Sequence, residues 1–363
     1  MLDIFYNIFI FVIVISVIVF VHEYGHYYVA RLCGVMATDF SIGFGKKICG
    51  FKDKRGTEWK ISMIPLGGYV KFLGDTDFTS AQDSKPSDIP EHIRKHAFAT
   101  QNLLKKFAIV AAGPIANFIF AIIIFAAFYL YFGKVVVAPE VTFVEKGSVA
   151  EKSGFKQGDV VVNIDGNKID QFSDVEMYVT THPNIQLSIA VSRNGEIEVI
   201  TVVPQPVKVK DSSGEEIEIG KLGIGSNKFT KKDYNILSAT AAAYSESLKI
   251  TTISLKALGQ MITGKRDTKD LGSVIRISKY AGKSAKQGVF VLVWFMAMIS
   301  LNLGLVNLFP IPPLDGGHLF LYITRFCLGK KISSYVEKWL LRVGIMIIVF
   351  LMVFTIVNDI LHI

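Results

Sequence analysis

From Ile4 to Val21 the chain runs eighteen residues without a charge and then, with no break signal, reads His22-Glu23-Tyr24-Gly25-His26. An uncharged apolar run of that length is long enough to span a bilayer as a helix. Lipid offers no partner to backbone polar groups, so such a run is confined to a structure that satisfies its own hydrogen bonds. The helix continues into the motif. At 3.6 residues per turn, His22 and His26 fall on one face, one turn apart, and can offer two imidazole nitrogens to a single metal ion. Glu23 lies beside them, where H-E-x-x-H sites keep a general base. Two histidines four apart also arise by chance, but ionisable groups at membrane depth are costly and mark function.

Three more runs meet the hydropathy criterion: Phe107 to Phe132, Val289 to Phe309 and about Leu340 to Val357. A mean hydropathy of +0.42 alongside 19% charged residues requires apolar blocks to alternate with ordinary soluble ones. The expected fold class is a polytopic α-helical membrane protein of about four transmembrane helices, with extramembrane β structure. The first run has no basic flank before it and no small-residue cleavage site after it, so it is not read as a signal peptide. Thirteen Lys and Arg lie between Arg31 and Lys106, and none precedes the first run. That asymmetry places the first loop in the cytoplasm, the N-terminus outside, and residues 133 to about 288 outside. Membrane anchoring accounts for the net charge of +8, and no basic face interleaved with aromatics calls for nucleic acid. Cys33, Cys49 and Cys327 all fall on the cytoplasmic side, where a disulfide is not expected.

Residues 57–74 read as two short extended runs around Pro65-Leu66-Gly67-Gly68, a β-hairpin with an apolar surface. One reading is a plain cytoplasmic hairpin; the other is an edge strand that dips toward the bilayer and pairs with a substrate backbone. Residues 75–100 form a polar linker in which His92 and His96 are solvated. Ala111-Ala112-Gly113-Pro114-Ile115-Ala116-Asn117 opens the second span; its small residues let another helix approach, and Asn117 faces the bundle. Between 137 and 227, strand-like runs alternate with glycine turns, and Gly154, Gly158-Asp159 and Asp165-Gly166 resemble a PDZ domain of the circularly permuted bacterial kind. Its peptide-binding residues would be Leu222, Gly223 and Ile224. Tyr234 to Thr263 is helical by pattern and too polar to span, as expected of an amphipathic helix on the outer membrane surface.

The third span ends in Asn307-Leu308-Phe309-Pro310-Ile311-Pro312-Pro313-Leu314-Asp315-Gly316-Gly317-His318. Three prolines in four residues cannot continue a helix. The topology brings Asp315 to the depth of His22 and His26, as a third ligand that leaves a fourth position for water. Taken alone, Asp315-Gly316-Gly317 is a tight turn. Paired with H-E-x-x-H on another span, it becomes a ligand, and His318 is left in a supporting place.

HEYGH, PLGGYVKFLGD, AAGPIAN, the PDZ-like block and NLFPIPPLDGG, in this order, resemble the site-2 protease family of intramembrane zinc metalloproteases, most closely the bacterial regulator-of-sigma-E protease type. The resemblance implies one zinc ion held by His22, His26 and Asp315, with Glu23 as catalytic acid/base. It implies substrate contacts from Asn307, Pro310, Pro312, Gly67, Gly68 and Tyr69, and a membrane-reentrant hairpin over residues 61–72. The implied partners are the lipid bilayer and a transmembrane substrate such as an anti-sigma factor or a remnant signal peptide, in the bacterial inner membrane with the PDZ-like domain periplasmic. Two departures stand out. There is room for one PDZ-like domain where enteric relatives carry two, and Leu271-Gly272-Ser273-Val274-Ile275 differs from the family's usual Leu-Ser-Gly-Pro-Ile.

The expected organisation is a first helix over 1–34, a loop over 35–106, a second helix over 107–132, a PDZ-like domain over 137–227, an amphipathic helix and linker over 234–285, a third helix with the ligand loop over 289–318, and a fourth helix over 336–361. The rival from another class is a membrane-tethered PDZ scaffold, which requires a closed structural metal site. A transporter would require inverted repeats, and only one broken segment is visible.

Overall fold

The computed structural model describes residues 2–74, 89–210, 216–263, 273–328 and 334–362. Most of the linker expected over 75–100, the Leu271-Gly272 pair and the basic Lys330-Lys331 lie outside them. The described helices are α1 (Leu2–Leu32), α2 (Glu91–Arg94), α3 (Leu103–Phe132), α4 (Val149–Lys152), α5 (Phe172–Thr181), α6 (Ile236–Ile262), α7 (Val274–Gln287), α8 (Val289–Asn307), α9 (Asp315–Leu328) and α10 (Ser334–His362). Four of them, α1, α3, α8 and the stretch Trp339–Asp359 of α10, are long and apolar enough to cross a membrane. The chain divides into two compact units, one of Met1–Ala127, Thr240–Leu258 and Asp267–Ile363, the other of Phe128–Ala239 and Gly259–Arg266.

In the first unit, α1 is continuous from the apolar run through the histidine motif, as the absence of Gly or Pro before Gly25 permits. It ends at Gly34, whose φ of 78° suits a residue without a side chain. The sheet that follows corrects the expected hairpin. Its strands are β1 (Ala37–Lys52) and β2 (Glu58–Phe72), and the two arms of β2 do not pair with each other. Both flank the first half of β1, so Phe40 sits opposite Trp59 on one side and Val70 on the other. The second half of β1 pairs with the far side of the first arm, Phe51 opposite Trp59. Four segments thus lie side by side, with residues 68–72 at one edge and 47–52 at the other. The glycines and lysines of Gly43-Phe44-Gly45-Lys46-Lys47 hid β1, since only Phe40, Ile42 and Phe44 show its alternation.

An aromatic group seats the sheet on α1. The Trp59 ring stacks on Phe40 at 4.3 Å and meets Tyr27 edge-on at 5.1 Å, while Arg31 Nη2 donates to Thr57 Oγ1 at 2.6 Å. Phe40 is 1% exposed, so these contacts are core packing. His92 is exposed, as a solvated residue should be, but His96 is tied down: its Nδ1 donates to Gly34 O at 2.7 Å.

Residues 274–287, expected as linker, form α7. Four cations, Arg276, Lys279, Lys283 and Lys286, mask its second face, on which Ser278, Ala281 and Gly282 are buried. That face lies on α1: a methyl on Gly282 would collide with Asn7, and Lys286 pairs with Asp3 at 2.6 Å. Ser273 caps α7, and its backbone N–H donates to the buried Asp359 of α10 at 2.9 Å, beside an ion pair of Asp359 with Arg276 at 2.7 Å.

The second unit is β-rich. Its strands are β3 (Lys134–Val137), β4 (Phe143–Val144), β5 (Val160–Ile164), β6 (Asn167–Lys168), β7 (Leu187–Arg193), β8 (Glu196–Val202), β9 (Gln205–Lys210), β10 (Glu216–Lys221), β11 (Ile224–Gly225) and β12 (Phe229–Lys232). A sheet ordered β6-β5-β7-β8 packs with α5 around Val161, Ile164, Val175, Leu187, Ile189 and Val191, all fully buried. The turn between β7 and β8 is Asn194-Gly195, both at positive φ, as a two-residue hairpin turn demands. Asp159 is buried, and Arg193 reaches it with two donors, Nε at 2.7 Å and Nη2 at 2.8 Å. Burial pushes the Asp159 carboxyl up, but the Arg193 guanidinium and the Lys156 N–H outweigh it and hold it below the usual carboxylate range.

Candidate metal centre

The metal-facing side of α1 is built by what α3 lacks. A side chain on Gly113 would lie 2.2 Å from His26 Nε2 and 2.9 Å from His22 Cε1, and one on Gly25 would lie 2.4 Å from the Ala112 carbonyl oxygen. The small residues of the AAGPIAN stretch therefore admit α1, the helix that carries the histidines. In exchange, α3 holds both rings at their far nitrogens. His26 Nδ1 donates to the Ile109 carbonyl at 2.8 Å, and the Asn117 amide lies 3.1 Å from His22 Nδ1. Sequence reasoning missed both partners, because the AAGPIAN pattern signals a close approach without saying which helix approaches.

Asp315 arrives from the other direction. It opens α9, a helix that follows the proline stretch directly and stands where a loop was expected. Gly316 and Gly317 let that turn pack tightly, since side chains there would collide with the backbone of Leu308, Ile311 and Pro312. Asp315 Oδ2 ends 3.1 Å from His22 Nε2 and 3.4 Å from His26 Nε2, and the two Nε2 atoms are 3.3 Å apart. Among the described residues this is the one cluster of three such groups able to hold a metal, with donor atoms all within 4.8 Å of one another.

The donor set fits a tetrahedral divalent ion. Ligand bonds of about 2.0–2.1 Å at tetrahedral angles put the donors roughly 3.3 Å apart, which is the spacing of the three atoms here. Asp315 Oδ2 is buried without a hydrogen-bond donor, a costly state for a carboxylate oxygen that a cation would relieve. Three protein donors leave one position open, unlike a closed structural site.

Glu23 is 9% exposed, and the edge segment of β2 passes beside it. The Val70 backbone amide lies beside its carboxylate, and a methyl on Gly68 would come within 3.1 Å of its Cγ. Gly67 has a φ of 123° under the Phe44 ring, and Tyr69 stacks on Phe44 at 6.1 Å. Asn307 Nδ2 lies 3.5 Å from His22 Nε2 and is half-buried beside the cluster. Pro310 is exposed, and Pro312 is half-buried, with its backbone carbonyl against Gly344 of α10. Cys33, Cys49 and Cys327 are free thiols.

The chain matches the profile of peptidase family M50 over residues 10–351, a span that includes both halves of the cluster. The chain belongs to peptidase family M50. This M50 chain is 40% identical to a protein of Agrobacterium fabrum named as an inferred zinc metalloprotease, over 96% of its own length and 94% of the relative's. It is 37% identical to a Rickettsia conorii protein named in the same way, covering 96% and 97%. With the metalloprotease MmpA of Caulobacter vibrioides it shares 33% identity, covering 95% and 93%. The M50 chain is thus a metalloprotease of the site-2 type, and with its four apolar helices an integral membrane protein. The resemblance drawn from HEYGH and NLFPIPPLDGG holds at the level of the family.

In the second unit, Leu222 is 3% exposed and belongs to the core. The Gly223 carbonyl accepts from Glu145 N at 2.8 Å, and Ile224 pairs with Val144. These three residues lie far along the chain from the metal ligands and belong to the other unit.

Proposed function

We propose that this M50 peptidase is a zinc-dependent intramembrane endopeptidase, with one zinc ion per chain, that cuts within or beside transmembrane segments of membrane-protein substrates. One observation carries the proposal. Two imidazoles of an apolar helix and a carboxylate from the start of α9 converge at ligand spacing, with a second buried carboxylate, Glu23, next in sequence to a ligand.

His22, His26 and Asp315 hold the ion. When bound, zinc supplies Lewis-acid polarisation of a carbonyl and makes water nucleophilic near neutral pH. Glu23 takes a proton from the attacking water and returns it to the leaving amine, so its carboxylate is the proton shuttle. Burial excludes bulk water and strengthens these electrostatic effects. A helical substrate hides its carbonyls in hydrogen bonds and must be opened first. The edge formed by Gly67, Gly68, Tyr69 and Val70 beside Glu23 supports a role in holding the opened strand by backbone pairing. In this reading the β1–β2 sheet is the reentrant element, and Asn307 and Pro310 line the substrate's path.

The charge asymmetry supports an outside N-terminus and a periplasmic second unit in a bacterial inner membrane. The second unit's β-rich build and its Leu222-Gly223-Ile224 stretch support a PDZ-like module that gates or recognises substrates. The resemblance to the regulator-of-sigma-E protease type supports anti-sigma factors and remnant signal peptides as substrate classes. The test is reconstitution with a single-span model substrate, comparing wild type with Glu23→Gln, each with and without a zinc chelator. Cleavage confined to chelator-free wild type is expected. Equal cleavage in all four would end the reading, and zinc binding without any cleavage would favour the scaffold.

A further inference from the structure

The two rings of the cluster are held differently. His26 donates from Nδ1 to a backbone carbonyl, which can only accept, so its Nε2 is left bare to ligate. His22 meets an amide, which can do either. Its Nε2 is the atom that faces Asp315 at 3.1 Å and His26 at 3.3 Å, so Nε2 is the ligating nitrogen. A ligating nitrogen carries no proton. The proton of neutral His22 is then on Nδ1 and needs an acceptor.

Asn117 is the side chain at Nδ1, 3.1 Å away and fully buried. Its Nδ2 faces the ring while its Oδ1 is buried without a partner, so with the proton on Nδ1 this orientation sets two donors against each other and leaves the acceptor unused. Turning the amide end for end keeps its shape and places Oδ1 at the Nδ1–H. The residue is fixed from behind as well. Ser300 Oγ of α8 donates to the Asn117 carbonyl at 3.0 Å, and Gly304 brings α8 against the Pro114 carbonyl.

We infer that Asn117 is a positioning residue for the metal: its amide oxygen accepts the His22 Nδ1 proton, which orients the ring and keeps Nε2 free to ligate. This rests on the metal-site reading above. Asn117 itself touches neither substrate nor ion. A purely structural Asn117 would join α1 to α3 through its shape or its N–H, and two substitutions separate these roles. Leu keeps the volume and loses the acceptor. Asp keeps the acceptor and loses the donor.

The experiment uses the full chain, purified and stripped of metal, with zinc affinity measured by competition against a chromophoric chelator. Cobalt(II) absorption spectra report the ligand field independently of activity. Asn117→Leu is expected to weaken zinc binding about 10- to 100-fold and to alter the cobalt spectrum, while Asn117→Asp binds zinc at least as tightly as wild type. Elution and thermal unfolding of the metal-free proteins show whether each variant is folded. A folded Asn117→Leu with wild-type affinity and spectrum overturns the inference. So does a folded Asn117→Asp that binds as weakly as a histidine knockout. If Asn117→Leu fails to fold, the Asp variant alone decides by the same criterion. Wild type that binds no zinc would overturn the metal-site reading and this inference together, whereas wild-type binding with unaffected Asn117 variants would overturn this one alone.

Discussion

Gly113 of α3 sits against His26 of α1 so closely that a single methyl group would lie 2.2 Å from the ligating Nε2. The obstacles would be the two imidazoles that must reach the metal, His26 and, at 2.9 Å, His22. Gly113→Ala is expected to lower metal affinity by roughly 100-fold or more, the upper range for disturbing a ligand's surroundings. Metal content of the purified variant, by elemental analysis, checks this, with unchanged elution as the control for folding.

The two carboxylates of the site separate by assay. Asp315→Ala removes a ligand, so both metal content and cleavage should fall. Glu23→Gln leaves the three ligands in place and removes the proton acceptor. Cleavage should drop about 10²- to 10⁴-fold, with metal content unchanged. Loss of metal in Glu23→Gln would show that Glu23 supports the ligands and is not the base.

Gly68 lies where the sheet edge passes α1. A side chain there would come within 2.6 Å of the Ser41 carbonyl, 2.7 Å of Val19 and 3.1 Å of Glu23 Cγ. Gly68→Val should push the edge segment away from Glu23. Displacement of about 1 Å at a reacting centre can cost 10²-fold, so a 10- to 100-fold fall in cleavage is expected, with metal binding retained. Wild-type cleavage by Gly68→Val would remove the edge segment from the reaction.

The ion pair in the second unit sets an acid limit. The Asp159 carboxyl is held below its ordinary range, so the folded state gives up its proton more readily than the unfolded chain. The resulting stability is present above an unfolded pKa of about 3.9 and is lost as pH falls through the lower folded value. Arg193→Met leaves the buried carboxylate unpaired at neutral pH, at a cost of about 3 kcal/mol. The urea midpoint of residues 160–202, followed by pulse proteolysis, should differ most between wild type and variant at neutral pH. That difference should shrink as pH falls toward the lowered folded value of wild-type Asp159 and vanish below it, where the carboxyl is protonated in both folded proteins.

What the chain announces locally was legible. The apolar runs read as helices because lipid leaves backbone groups no other partner, and His22, Glu23 and His26 read as a face because helical spacing is fixed. What stayed hidden depends on partners distant in sequence. Phe40 and Trp59 are neighbours only because β1 inserts between the two arms of β2, and nothing in residues 57–74 requires a third strand between them. The cations of α7 made a helix look like linker until its small-residue face met α1.

The sequence by itself determined four spans, the two histidines with their neighbouring glutamate, and a proline break that presents Asp315. Periodicity, length and the missing proline N–H are properties of the chain, whatever it packs against. Only the tertiary structure decided that Asp315 Oδ2 meets both Nε2 atoms, and that α3 holds the two rings through Ile109 and Asn117. A hydrogen bond across 83 or 95 residues leaves no local mark on either partner. It exists only once Gly25 and Gly113 have let their helices touch.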